Sequence, residues 1–136
     1  MGGRPDHLSE DAELIKFFDW LSWQEKRHPH FGAVFHVANE RRASWRQGKI
    51  LKRKGVKAGI YDVICPIPIY PYHGLIIELK IKPNKLSLQQ AKMGQLFQSL
   101  GWCVRIGWSG DEAIEHFREY MKGSTRGWEL EPPLKA

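Results

Sequence analysis

Three residues on two short apolar segments are of types that can do chemistry together. Asp62 sits in AGIYDVI, and Glu78 and Lys80 stand two apart in LIIELKI. Both segments are rich in β-branched and aromatic residues and read as strands, 60–65 and 75–81. Alternation along the second puts Leu75, Ile77, Leu79 and Ile81 on one face, and Ile76, Glu78 and Lys80 on the other. On an edge strand the two charges would simply be solvated; inside a sheet they are costly to bury unless paired or bound to something. If the two strands form a hairpin, Asp62 approaches Glu78, and two such acids make a site for a hard divalent cation. A cation there lowers the pKa of a bound water and stabilises charge on a phosphoryl transition state, while the lysine orients or deprotonates the nucleophile. The expected chemistry is metal-dependent hydrolysis of a phosphodiester. The pattern D…ExK is short and common, and its placement on consecutive strands is what gives it weight.

A second feature fits a phosphate-bearing substrate. Residues 41–57 hold Arg41, Arg42, Arg46, Lys49, Lys52, Arg53, Lys54 and Lys57 and no acid, while the rest of the chain carries 13 lysines and arginines against 15 acids. The whole positive excess of the +6 chain lies in this stretch. It is either a solvated loop or helix face without a partner, or a phosphate-contacting surface, and the second reading is favoured. Trp45 within it could stack on a base or fill an apolar gap.

The elements that must hold these residues follow from periodicity. Ser9 with Glu10 and Asp11 reads as a helix start, and Leu14, Phe17, Phe18 and Leu21 recur at helical spacing, giving a helix over 10–24 that the segment KRHPH ends. Residues 33–37 (AVFHV) read as a strand. Ser87 with Gln90 fits a capping box, and Leu88, Met93, Leu96, Phe97 and Leu100 form the stripe of a second helix ended by Gly101. WCVRIGW (102–108) is a further strand, and Ser109 with Glu112 forms a second capping box for a last helix, whose Ile114, Phe117 and Met121 face the core and whose end Gly123 caps. The expected order is α-β-β-β-α-β-α, an α/β fold with a small mixed sheet flanked by helices. Its core spans about 10–121, with 122–136 a tail of weak structural preference.

At 136 residues with 42% hydrophobic content, the chain is the size of one domain. No apolar run is long enough to span a bilayer and the first residues lack a signal-peptide core, so a cytoplasmic protein is expected. Cys65 and Cys103, without CxxC spacing, read as reduced, buried thiols. His28 and His30 form a loop pair more in keeping with solvation than with zinc, His36 reads as a satisfied core residue, and Trp20 and Trp102 as core. No phosphate-cradling glycine loop or nucleophile elbow is present, and no nucleotide cofactor is expected.

The ordered run HVANERR, LKRKGVKAGIYD, HGLIIELK, KLSLQQ and LGWCVRIGWSGDEAIEHFREYM resembles the VRR-NUC nucleases of phages and bacteria, a branch of the PD-(D/E)xK superfamily. The resemblance covers roughly residues 10–121. It implies a restriction-endonuclease-like core in which Asp62 and Glu78 are metal ligands, Lys80 is the catalytic lysine, and Gln90 supports the site from the first turn of the following helix. The same spacing makes Gln90 the closing residue of a capping box on Ser87, and both roles can hold at once. Glu13 matches an acid of the N-terminal helix that completes the metal shell, and Asn39 and Glu40 match an Asn-Glu pair that positions substrate or supports the fold. Where the family usually has proline before the aspartate, this chain has Tyr61, which alters a turn and removes no ligand.

Together these readings imply a Mg2+- or Mn2+-dependent endonuclease acting on branched DNA, with four-way junctions favoured. The small members of the family resemble Holliday junction resolvases, which implies a homodimer, and a two-fold junction needs two symmetric cuts that a C2 dimer supplies. The apolar connection CPIPIYPY and the tryptophan-containing tail are candidates for the dimer surface. The alternative is a non-catalytic DNA-binding phage accessory protein on a nuclease scaffold. A membrane-surface protein ranks last, because no basic amphipathic helix is evident.

Overall fold

The computed structural model describes residues 6–38, 45–124 and 128–133. Helix α1 (Asp6–Arg27) leads through a short 3-10 helix (Pro29–Ala33) to strand β1 (Phe35–His36), then helix α2 (Trp45–Arg53). Strands β2 (Val63–Cys65) and β3 (Leu75–Leu79), helix α3 (Leu88–Ser99), strand β4 (Cys103–Gly107) and helix α4 (Gly110–Met121) follow. The strands lie in the order β1-β2-β3-β4. β1 and β2 pair antiparallel, as do β2 and β3 in the expected hairpin register Val63↔Ile77 and Cys65↔Leu75, while β4 joins β3 in parallel.

Both faces of β3 are covered. Leu75, Ile77 and Leu79 join Val63, Cys65 and Cys103 in a core built against Phe17, Trp20 and Leu21 of α1 and Ile114 and Phe117 of α4. Phe31 and Trp20 pack edge-on against Phe117, at 5.2 and 5.8 Å between ring centroids. Ile76, on the opposite face, is buried outside that cluster. On this side lies α3, and two glycines let it come close. Gly59 (φ +85°) lies so near the first turn of α3 that a Cβ would collide with the Gln89 carbonyl, and a Cβ on Gly94 would collide with the buried Tyr61 hydroxyl. Tyr61, at the position where the related pattern has proline, is thus wedged under α3 beside Asp62. Gly94→Ala should therefore cost ~1–3 kcal/mol by overpacking. Adding Tyr61→Phe should recover part of that cost in chemical denaturation, whereas equal midpoints for wild type and Gly94→Ala would refute the wedge.

Several boundaries differ from those expected. α1 begins at Asp6 and runs to Arg27, because no glycine or proline interrupts it before Pro29 and because Lys26 and Arg27 suit its C-terminal end. Ala33 belongs to the 3-10 helix, leaving β1 only two residues. Asp62 and Lys80 lie just outside β2 and β3, although the Lys80 N–H still donates to the Gly107 carbonyl. The basic stretch folds as the additional helix α2. Its arginine, glutamine, lysine and leucine residues are good helix formers, and they make it a basic amphipathic helix where none was expected.

Other local corrections have local causes. Ser109 caps α4 by accepting from the Glu112 N–H, but the Glu112 carboxylate sits 3.4 Å from His116 and does not close a box. Lys122, not Gly123, caps the end of α4. Trp102 is half-buried, edge-on to Phe97. Residues 128–133 are not a loose tail. Trp128 packs edge-on against Phe31, the Trp20 indole N–H donates to the Glu131 carbonyl, and Arg27 pairs with Glu129. These contacts hold 128–133 against α1 and the 3-10 helix. Tyr70 of the CPIPIYPY connection remains exposed, while the Tyr120 hydroxyl ties the connection down by donating to the Ile67 carbonyl and accepting from the Ile69 N–H. Cys65 and Cys103 are free and buried. Among the described residues no helix is long and apolar enough to cross a membrane.

Candidate active site

Glu78 is in the middle of the sheet, not on an edge, and only 3% exposed. Its carboxylate is held from three sides. Oε1 accepts from the Asp62 N–H (3.2 Å), Oε2 accepts from the Gln90 side-chain amide (2.8 Å), and the Lys80 ammonium stands 3.6 Å from Oε2. Asp62 is fixed in turn, since its Oδ2 accepts from the Leu79 N–H at 2.9 Å. The hairpin register does this work, because a bend at Asp62 entering β2 lies opposite the end of β3, where Leu79 and Lys80 leave the ladder.

Gln90 performs both roles its spacing allows. Its N–H donates to the Ser87 hydroxyl and its Oε1 accepts from the Ser87 N–H, closing the capping box. With Oε1 so engaged, the amide nitrogen faces Glu78, which fixes the orientation of the amide. The helix cap thereby aims a donor at a buried carboxylate.

The electrostatics are those of two acids confined together. Burial, then the neighbouring Asp62 charge, pushes Glu78 up to about 8 against the opposing pull of Lys80 and the Asp62 N–H. Asp62 is also raised, chiefly by burial, with the Leu79 N–H and the charges of His36 and Lys80 acting the other way. Glu10 of α1 adds to the raising of both. One ammonium does not offset this negative charge, so the arrangement suits a cation. Among the described residues no three His, Cys, Asp or Glu side chains form a metal shell by themselves. The pair therefore fits an ion that takes one or two carboxylates from the protein and completes its coordination with water and substrate oxygens, as Mg2+ does.

The structure brings Asp62, Glu78, Lys80 and Gln90 together, and it does not bring Glu13 to them. The Glu13 carboxylate accepts from the Gly110 N–H at 2.9 Å, satisfying the start of α4, and the α1 acid that acts on the pair is Glu10, one turn earlier. Glu10 is itself held by the Asn84 side-chain amide at 3.1 Å. The spacing of three residues put Glu10 and Glu13 on one helix face, so only the tertiary packing distinguishes them. His36 is exposed, not a core residue, and its Nδ1 lies 2.6 Å from the Asp62 carbonyl. Asn39, Glu40, Arg41 and Arg42 lie outside the described residues. Arg46 falls within α2, and Lys49, Lys52, Arg53, Lys54 and Lys57 are exposed along and just after that helix.

A mixed four-stranded sheet with helices on both faces, carrying an acid at a hairpin strand's entry and acid-x-lysine at its partner's end, defines a restriction-endonuclease-like fold. A solved structure described as a VRR_NUC domain protein is similar over 88% of this chain and 97% of its own, with a TM-score of 0.68 and 24% identity. The chain shares the VRR-NUC fold. No protein-family model and no curated protein matches the sequence.

Proposed function

We propose that this chain is a metal-dependent endonuclease that hydrolyses phosphodiester bonds in branched DNA, acting as a homodimer on four-way junctions in the manner of a Holliday junction resolvase. The observation that carries the reading is the pair of the half-buried Asp62 and the buried Glu78, with Lys80 3.6 Å from Glu78 and Gln90 bonded to it. Asp62 and Glu78 would hold Mg2+ or Mn2+, which when bound polarises a phosphate oxygen and acidifies a water. Lys80, largely buried beside Glu78, orients the attacking water or removes its proton. Gln90 keeps Glu78 aimed, and Glu10, held by Asn84, adds negative charge from α1. The exposed cations of α2 and the residues after it grip the sugar-phosphate backbone. The scaffold-only alternative is disfavoured by the same pair, since a pure DNA binder gains nothing from two confined acids beside a phosphate.

The test is cleavage of matched four-way junction, flap and linear duplex by the purified chain with Mn2+ or Mg2+. Paired symmetric nicks in the junction are expected. Equal cutting of all three substrates would remove the junction preference, and binding without cleavage under either metal would favour the scaffold reading.

A further inference from the structure

The Asp62 carboxylate is anchored by the Leu79 N–H and the Asp62 N–H is anchored on Glu78, which leaves the third polar group of this residue, its backbone carbonyl. In an ordinary ladder that carbonyl would meet an N–H from a continuing neighbour strand. Here β1 ends at His36, paired opposite Val63, so the ladder stops one position short of Asp62. The His36 imidazole supplies the missing donor. A carbonyl only accepts, so the 2.6 Å contact puts the proton on Nδ1. The anchor comes from an exposed side chain that takes no part in the hydrophobic core.

We propose that His36 is a positioning residue for cation binding: its Nδ1–H clamps the Asp62 backbone at the point where β1 ends and so sets the carboxylate against Glu78. This rests on the reading of Asp62 and Glu78 as cation ligands given above. His36 does not coordinate the ion; it removes the backbone freedom of a ligand that lies outside its strand. The orienting partners of metal ligands characteristically contribute to affinity without touching the metal.

The experiment is calorimetric titration of the metal-free full chain with Mn2+ alone, at one pH, for wild type, His36→Ala, His36→Asn, His36→Gln and Asp62→Asn, alongside thermal unfolding of each without metal. Asparagine carries an amide nitrogen at the position of Nδ1, whereas glutamine carries it one bond further out. His36→Ala and His36→Gln should weaken Mn2+ binding by ~10–100-fold, while His36→Asn stays within about threefold of wild type. Metal-free unfolding temperatures of the three His36 variants should match wild type. Unchanged Mn2+ affinity in His36→Ala, or a His36→Asn as weak as His36→Ala, overturns the clamp while leaving the cation site standing. A lowered unfolding temperature that tracks the affinity loss also overturns it, by making the effect one of general stability. Absence of Mn2+ binding by wild type overturns the cation-site reading itself, and the clamp with it.

Discussion

Glu78→Gln removes metal-dependent cleavage and, in the same molecule, removes most of the pH dependence of metal-free stability. The first effect follows from the loss of a ligand, and should exceed the ~10–100-fold typical of groups that only orient ligands. DNA binding should persist, because the exposed cations proposed to grip the backbone are untouched by this substitution. The second effect follows from linkage. The folded chain raises Glu78 to about 8 from about 4.5, so over that interval the folded state holds a proton that the unfolded state has released. The contribution to stability is fully present below the lower value and is lost as pH rises through the upper one. The raised Asp62 acts in the same direction. Thermal unfolding in EDTA between about pH 5 and pH 9 should therefore show wild type losing stability as pH rises and the variant changing little. Added Mn2+ should restore wild type at high pH and leave the variant unaffected. A wild-type midpoint that rises with pH in EDTA, or a variant that still cleaves, would move the site elsewhere.

Neutralising Lys52, Arg53 and Lys54 together flattens the salt dependence of junction binding. Each cation that neutralises a phosphate contributes ~0.9 to the slope of log affinity against log salt concentration, so three contacts account for ~2.7 of it. Arg53 ends α2 and Lys54 follows directly, and all three side chains are exposed, so their replacement leaves the fold intact. Affinity at low salt should fall steeply while the unfolding temperature holds. Fluorescence anisotropy titrations at several salt concentrations measure the slope, and an unchanged slope would remove this segment from the interface.

Much of the site was legible because hairpin geometry is local. Apolar alternation across 60–65 and 75–81 set Asp62 against Glu78, and the Ser87–Gln90 spacing announced a cap that also reaches Glu78. The stripe of α4 and the end of α3 at Gly101 (φ +90°) followed from period and glycine chemistry, whereas Leu88, Leu96 and Leu100 of the expected α3 stripe are exposed and Gly94 is the one buried residue of that helix. What escaped depended on packing between distant segments. Glu10 and Glu13 share a helix face, and the packing of α1 on α4 decides that Glu13 serves Gly110. His36 looked like a core histidine because its neighbours are apolar, yet β1 stops there and turns the imidazole into a donor for Asp62. α2 escaped because it is short and its abundant charge reads equally well as a solvated loop, although its residues segregate at helical period. Residues 128–133 have little periodicity of their own and take their order from Trp20, Arg27 and Phe31.

The most direct measurement of the central claim is cleavage of a synthetic four-way junction by wild type and Asp62→Asn, with Mn2+ and with EDTA. Wild type should cut with Mn2+ and fall silent in EDTA. Asp62→Asn should bind the junction and not cut it under either condition. Cutting by wild type in EDTA, or cutting by Asp62→Asn at the wild-type rate with Mn2+, would contradict a metal-dependent site built on Asp62 and Glu78.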